Sequence, residues 1–391
     1  MKIRLIVFGF VFAVVCGVTH AGNPEFRGIE VHTWIPGMLS PAEIDETVEW
    51  AKEANMNALV MQVRRVGDAY YDSAYEPRAT NIKAGLEFDP LDYSIKKARE
   101  NGLEIHAWIN VYRVWASRSK PAEDDHVLNL HPEWLSKDFT GATFAGEGQY
   151  LDPGAPGVEE HLVKLVADLM SKYDIDGLML DYIRYPGKTW GYSDAAVARF
   201  NAMYGRTGKP SPNDQLWCRW RRRQVTETVR AIYEEVNRLK PHVKVSAATI
   251  PWGPCPSSFV KTDAYAEVFQ DWQLWMRQGI LDANMPMNYK RPSHPVHSKW
   301  FADWLEGFAK WSYGRHTYCT IMVFKGNVAG ASEQVRLSRE HGLPGVVGFA
   351  FSQTSCRAEL APKLRSTVFK EPAPVPPMPW KKGQGDGATG R

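Results

Sequence analysis

The stretch Leu178-Met179-Leu180-Asp181-Tyr182-Ile183-Arg184 puts a carboxylate directly after a short apolar run. Such a run reads as a buried strand. A carboxylate fixed at its end can attack a sugar carbon or stabilise developing oxocarbenium charge. Cleavage of a glycosidic bond usually needs a second carboxyl group to protonate the leaving oxygen. Asp271, in Gln270-Asp271-Trp272, ranks first for that role, ahead of Asp68, Asp152, Glu30 and Glu267. Each acid also has a plain structural reading. Asp181 could brace loops through Arg64 or Arg184, Asp271 could sit at a helix start where the dipole favours it, and Asp68 and Asp152 could be turn residues.

Polar and aromatic residues crowd where the other apolar runs stop. Arg64, Asp68, His106, Asn110, Arg113, Tyr182, Arg184, Asn288 and Tyr289 are the candidates for binding substrate, as donors to hydroxyl or N-acetyl oxygens. The arginines could also hold a nearby acid ionised. Their structural alternatives are salt bridges, and those of the Tyr and His residues are hydrogen-bonded core edges. Other chemistries find little support. His294 and His297, and His126 and His131, lack a carboxylate in a metal-binding pattern, and there is no His-Glu-x-x-His, Gly-x-Ser-x-Gly or glycine-rich nucleotide loop. No metal and no cofactor is therefore expected.

These residues need a scaffold. Apolar strand-like runs at residues 28–34, 57–63, 103–109, 175–180, 243–250, 280–287, 318–324 and 346–351 alternate with helical stretches. The helices fall at 41–54, 90–101, 158–173, about 193–240, 264–278, 297–311, 332–341 and 358–369. Ser40 is a candidate N-cap ahead of Pro41. Eight β-then-α units predict an α/β fold, a (β/α)8 TIM barrel with long inserted βα loops, the longest at 110–157. In such a barrel the active site gathers at the C-terminal ends of the strands, where these polar residues lie.

The chain has 391 residues with 47 basic and 44 acidic side chains, a formal net charge of +3. That balance gives no electrostatic case for nucleic acid or an anionic membrane as partner; the partner expected from the carboxylates and the aromatic supply is a polysaccharide or oligosaccharide. The 15 Trp, 16 Tyr and 16 Phe exceed ordinary packing needs, although more than half should still be core. Residues 1–21 read as a signal peptide: Lys2 and Arg4, an apolar run from Leu5 to Val18, then Thr19-His20-Ala21. A periplasmic or extracellular location follows, with no integral membrane span once the signal is removed. Residues 22–370 form the barrel, and the Pro/Gly-rich residues 371–391 read as a disordered tail. Cys218, Cys255, Cys319 and Cys356 admit either disulfides or buried thiols.

Several stretches together resemble the bacterial glycosyl hydrolase-like family ten proteins. They are Arg27-Gly28, Gln62-Val63-Arg64 with Gly67-Asp68-Ala69-Tyr70-Tyr71, Phe88-Asp89-Pro90-Leu91, and residues 102–110 with Tyr112-Arg113. Leu151-Asp152-Pro153-Gly154, residues 173–177 running into Asp181-Tyr182, Asp271-Trp272 and Pro286-Met287-Asn288-Tyr289 complete the set, over roughly residues 27–351. The resemblance implies a TIM-barrel protein, exported or envelope-associated, acting on glycans, with cell-wall polysaccharide a leading substrate class. It implies Asp181 and Asp271 as the acids of the site. This chain departs from the family pattern at Leu180, at Arg184-Tyr185-Pro186, and at Met287 and Lys290. A non-catalytic glycan-binding barrel is the rival reading. What decides between the two is whether a second acid faces Asp181.

Overall fold

The computed structural model describes residues 22–85, 87–323, 328–351 and 356–381. The predicted signal, residues 1–21, lies outside them. Eight parallel strands close into a barrel: β1 (Phe26–Val31), β2 (Ala58–Arg64), β3 (Glu104–Asn110), β4 (Gly177–Asp181), β5 (Lys244–Thr249), β6 (Ala283–Pro286), β7 (His316–Met322) and β8 (Gly345–Phe351). The ring closes where Phe26 of β1 pairs with Gly345 of β8. The TIM barrel expected from the strand–helix alternation is thus the fold.

Strand parity creates two cores, because successive side chains point to opposite faces. Ile29, Val31, Leu59, Met61, Leu178 and Leu180 face the helices. Phe26, Val60, Trp108, Met179, Met285, Tyr318 and Val347 fill the lumen. Parity therefore aims Glu30 and Asp181 inward too, at the upper, C-terminal end of the lumen. A third cluster, Tyr192, Phe200, Trp217 and Trp220, uses up part of the aromatic surplus in the connection between β4 and β5.

The helices begin where the sequence provides caps. Pro41–Glu53 starts with Ser40 accepting from the Glu43 N–H, and Pro90–Glu100 with Asp89 accepting from Leu91 and Asp92. Two helical stretches are broken rather than continuous. The region expected at 193–240 splits into Asp194–Tyr204 and Gln215–Leu239, since Gly205 ends the first in a left-handed conformation (φ 60°). The stretch expected at 264–278 splits into Asp263–Ala266 and Trp272–Gln278, and Asp271 caps the second piece. Among the described residues no helix is long and apolar enough to cross a membrane.

The disorder expected for the tail fails for residues 371–381, which run beneath the lower end of the barrel. Pro374 O accepts from Glu25 N at 2.9 Å and Ala373 O from Asn57 Nδ2 at 2.9 Å. Met378 is buried against the lumen, with Val375 and Trp380 packed beside it. Proline removes donors but leaves every carbonyl free to accept, so a proline-rich strap can be held by its neighbours' N–H groups. Residues 382–391 lie outside the described residues. Cys218, Cys255 and Cys319 are free thiols, and the side chain of Cys356 lies outside the description.

Candidate active site

At the end of β4 the chain turns sharply, with Tyr182 in the left-handed region at φ 49°. A side chain there costs about 1–3 kcal/mol, and such strain concentrates at functional sites. The turn sends the Tyr182 N–H back onto Asp181, whose Oδ1 accepts it at 2.6 Å. Asp181 Oδ2 accepts from Trp108 Nε1 at 3.1 Å. That indole also donates to Asn110 Oδ1 at 3.1 Å, while Asn110 Nδ2 donates to Arg65 O at 2.6 Å. Asn110 therefore positions the indole that positions the acid. Burial pushes the Asp181 carboxyl up to about 6, against the pull of the Tyr182 N–H, the Arg184 charge and the Trp108 N–H.

A second acid does face it, but it is Glu30. Glu30 projects from β1, its carboxyl makes no hydrogen bond or ion pair among the described residues, and it lines the same hollow of about 440 Å³. Burial first, and the Asp181 charge second, hold its carboxyl well above the ordinary range. Both carboxyls are therefore pushed towards their protonated forms, Glu30 by burial beside a second acid and Asp181 to about 6 by burial against hydrogen bonds that favour its ionised form.

The walls of the hollow are aromatic and cationic. All fifteen tryptophans lie within the described residues, and only Trp34 and Trp252 are exposed, at 52% and 44%. Both line the hollow, with Tyr289 and Phe349, whose rings stack at 5.1 Å. Arg184 lies 5.6 Å over the Trp252 ring and 5.1 Å over Tyr182, and its Nη2 pairs with Glu147 at 3.1 Å. Arg113 adds a contact 5.3 Å over Tyr182, and its Nε donates to Glu147 O at 2.7 Å. Glu147 comes from the long loop after β3 and also accepts from Tyr150 Oη at 3.0 Å.

The structure brings Asp181, Tyr182, Arg184 and Tyr289 to the hollow, with Asn110 and Arg113 just behind its wall. It takes the others elsewhere. Asp271 accepts from Leu274 N at 3.2 Å as a helix cap and lines a separate surface hollow with Arg222 and Tyr265. Asp271 therefore does not share the hollow of Asp181, and the acid that does so, from β1, is Glu30. Arg64 is wholly buried in an ion pair with Glu76 and donates to Val111 O at 3.0 Å. His106 points into the lower lumen beside Gly177 and meets Glu104 at 3.0 Å. Asp68 closes a turn through Val66 N at 2.9 Å, and Asp152 another through Gly154 N at 3.0 Å. Asn288 is buried outside the hollow, its Nδ2 directed at Phe301 O. Trp34, Trp252 and Glu147 were not foreseen as site residues: the first strand, expected to run to Trp34, stops at Val31, and the other two sit on loops that no period describes. Glu30 carried one usable signal, an isolated carboxylate inside the apolar strand Gly28-Ile29-Glu30-Val31.

Known proteins resemble this chain in fold and in sequence to different depths. The glycoside hydrolase domain of PgaB (BpsB) from Bordetella bronchiseptica superposes with a TM-score of 0.66 at 13% identity, covering 90% of this chain and 100% of that domain. The catalytic domain of β-amylase from Paenibacillus polymyxa gives 0.63 at 12%, with the same coverage. At those identities the likeness is one of fold. In sequence, glycosyl hydrolase YngK of Bacillus subtilis (strain 168) is 25% identical over 419 aligned residues, 97% of this chain and 78% of that protein. Glycosyl hydrolase DigH of Escherichia coli (strain K12) is 26% identical over 291 residues, 67% of this chain and 62% of its own length. The pattern of the glycosyl hydrolase-like 10 family matches residues 27–312, well over half of the chain. The chain belongs to the glycosyl hydrolase-like 10 family and is, by that membership, a glycosidase.

Proposed function

We propose that this glycosidase is exported and cleaves O-glycosidic bonds within a polysaccharide, with cell-wall glycan the leading substrate class, using Asp181 and Glu30 as its paired acids. The observation that carries the reading is the meeting of two inward carboxyls, both raised by burial, in one hollow that also holds both exposed tryptophans. Ring faces of Trp34 and Trp252 suit the apolar faces of sugar rings. Asp181, ionised above about pH 6, attacks the anomeric carbon or stabilises the oxocarbenium-like transition state. Glu30 donates its proton to the departing glycosidic oxygen and recovers one from the water that completes hydrolysis. Export rests on the charged and apolar pattern of residues 1–21.

The test is product analysis with purified peptidoglycan and common plant and algal polysaccharides. Wild type should release new reducing ends from at least one of them. Glu30→Gln should lower turnover by about 10²–10⁴-fold, the usual contribution of a positioned acid, and Asp181→Asn by at least as much. Tight binding without any product would favour a glycan-binding barrel. Undiminished turnover in either variant would remove that residue from the chemistry.

A further inference from the structure

Three lysines are buried among the described residues: Lys244, Lys290 and Lys381. Lys244 is paired with Glu104, and Lys381 with Asp282 at 2.9 Å. Lys290 has no carboxylate within ion-pair distance among the described residues. Its Nζ makes one hydrogen bond there, to Pro251 O at 2.8 Å, and Cys319 and Asp263 act on it only at longer range. A buried ammonium without a counter-charge is expensive, and burial brings it down to about 8. The side chain is only 8% exposed, yet it lines the hollow that holds Asp181.

Its location says what would complete it. Pro251 precedes Trp252, so the ammonium is tied to the base of that exposed ring. The other cation at this ring, Arg184, already faces Glu147. Lys290 makes no ion pair with Glu30 or Asp181 and is not among the main influences on either, so tuning those acids does not account for it. We propose that the Trp252 side of the hollow is a subsite for a sugar bearing a carboxylate, stacked on the indole, with Lys290 as the residue that reads the carboxylate. The proposal rests on the hollow being a glycan site and narrows its substrates to acidic glycans. A neutral sugar would leave the ammonium as unmatched as it is now, whereas a carboxylate would give it a charge-assisted partner in a site already shielded from water.

Calorimetric binding to the Asp181→Asn variant tests this without requiring turnover. The probes are oligosaccharides of alginate and polygalacturonate and purified peptidoglycan strands, each intact and after chemical reduction of its carboxyls to primary alcohols. At least one intact probe should bind about tenfold or more tightly than its reduced form. Adding Lys290→Gln should abolish that preference, and adding Lys290→Arg should retain it. If Lys290→Gln lowers the melting temperature enough to prevent measurement, Lys290→Met, close in volume and without charge, takes its place. Equal binding of both forms of every probe, binding of none, or a preference that survives loss of the Lys290 charge overturns the subsite. A carboxylate preference with no cleavage by wild type keeps the subsite and removes the hydrolase reading. Cleavage without a preference does the reverse.

Discussion

At the lower end of the barrel Asp282 is wholly buried, yet its carboxylate accepts from Tyr233 Oη at 3.0 Å, Trp380 Nε1 at 2.8 Å and Val245 N at 2.9 Å. It also faces Arg315 at 3.2 Å and Lys381 at 2.9 Å. At the upper end Asp181 has two neutral donors and no cation in contact, and the Glu30 carboxyl has no hydrogen-bond or ion-pair partner among the described residues. Both ends bury acids, but only the lower end matches Asp282 with counter-charge. The unmatched acids are raised, and the raising has a cost. For Asp181, moving from 3.8 to about 6 is worth on the order of 3 kcal/mol at neutral pH. Since the folded state holds this proton more tightly, that cost is absent below about pH 3.8, grows as pH rises towards about 6, and is complete above it. The lower end ties its acid into a charged network that holds the barrel together, and the upper end leaves two acids raised at a cost in stability.

Five measurements break or sharpen that contrast. The largest effect belongs to the lower end: Asp282→Ala should destabilise by about 3–5 kcal/mol, because it strands buried cations, and denaturant unfolding reads it directly. A loss under about 1 kcal/mol would mean the lower network is ornamental. The upper end should respond with the opposite sign. Asp181→Asn should raise the melting temperature by a few degrees at pH 8, from a gain of about 1–3 kcal/mol, and the gain should shrink at pH 5, where the wild-type carboxyl is largely protonated. The same ionisation should appear in kinetics, with kcat/KM of wild type falling about tenfold per pH unit below a break near pH 6. Next come the rings: Trp252→Ala should raise KM about tenfold, some 1.4 kcal/mol, while stability stays within about 0.5 kcal/mol because the ring is exposed. Smallest is Asp271→Asn, which should leave turnover within about twofold and stability unchanged, since Asn caps a helix as well as Asp does. A large loss of turnover there would return Asp271 to the chemistry.

The fold was legible because strand and helix periods alternate eight times, and each change of period is local information. Asp181 was legible for the same reason, as the residue that ends Leu178-Met179-Leu180. Its partner was not. Which acid lies opposite depends on parity and register around the ring, and pairing across a closed barrel leaves no trace in neighbouring residues. Asp271 looked suitable beside Trp272, but the left-handed Phe269 (φ 57°) breaks that helical stretch and makes Asp271 the cap of a new helix. Arg64 and His106 sit on the right strands, yet Glu76 and Glu104 had already claimed them. The tail was misjudged through composition alone, which reports how little apolar surface a segment has but says nothing about the carbonyls it offers to others.

The strap beneath the barrel also bears on timing. Asn57 and its partner Ala373 are 316 residues apart, and β1 has no neighbour on one side until β8 exists. A ribosome delivers the first member of each pair long before the second. The earliest strand therefore waits, incomplete, for nearly the whole of synthesis, and contacts of such long range are slow to form. A stop codon or fusion joint placed just after Phe369 would leave every residue of the catalytic hollow present while withholding the bolts of its floor; the same joint placed after Lys381 would leave them in place.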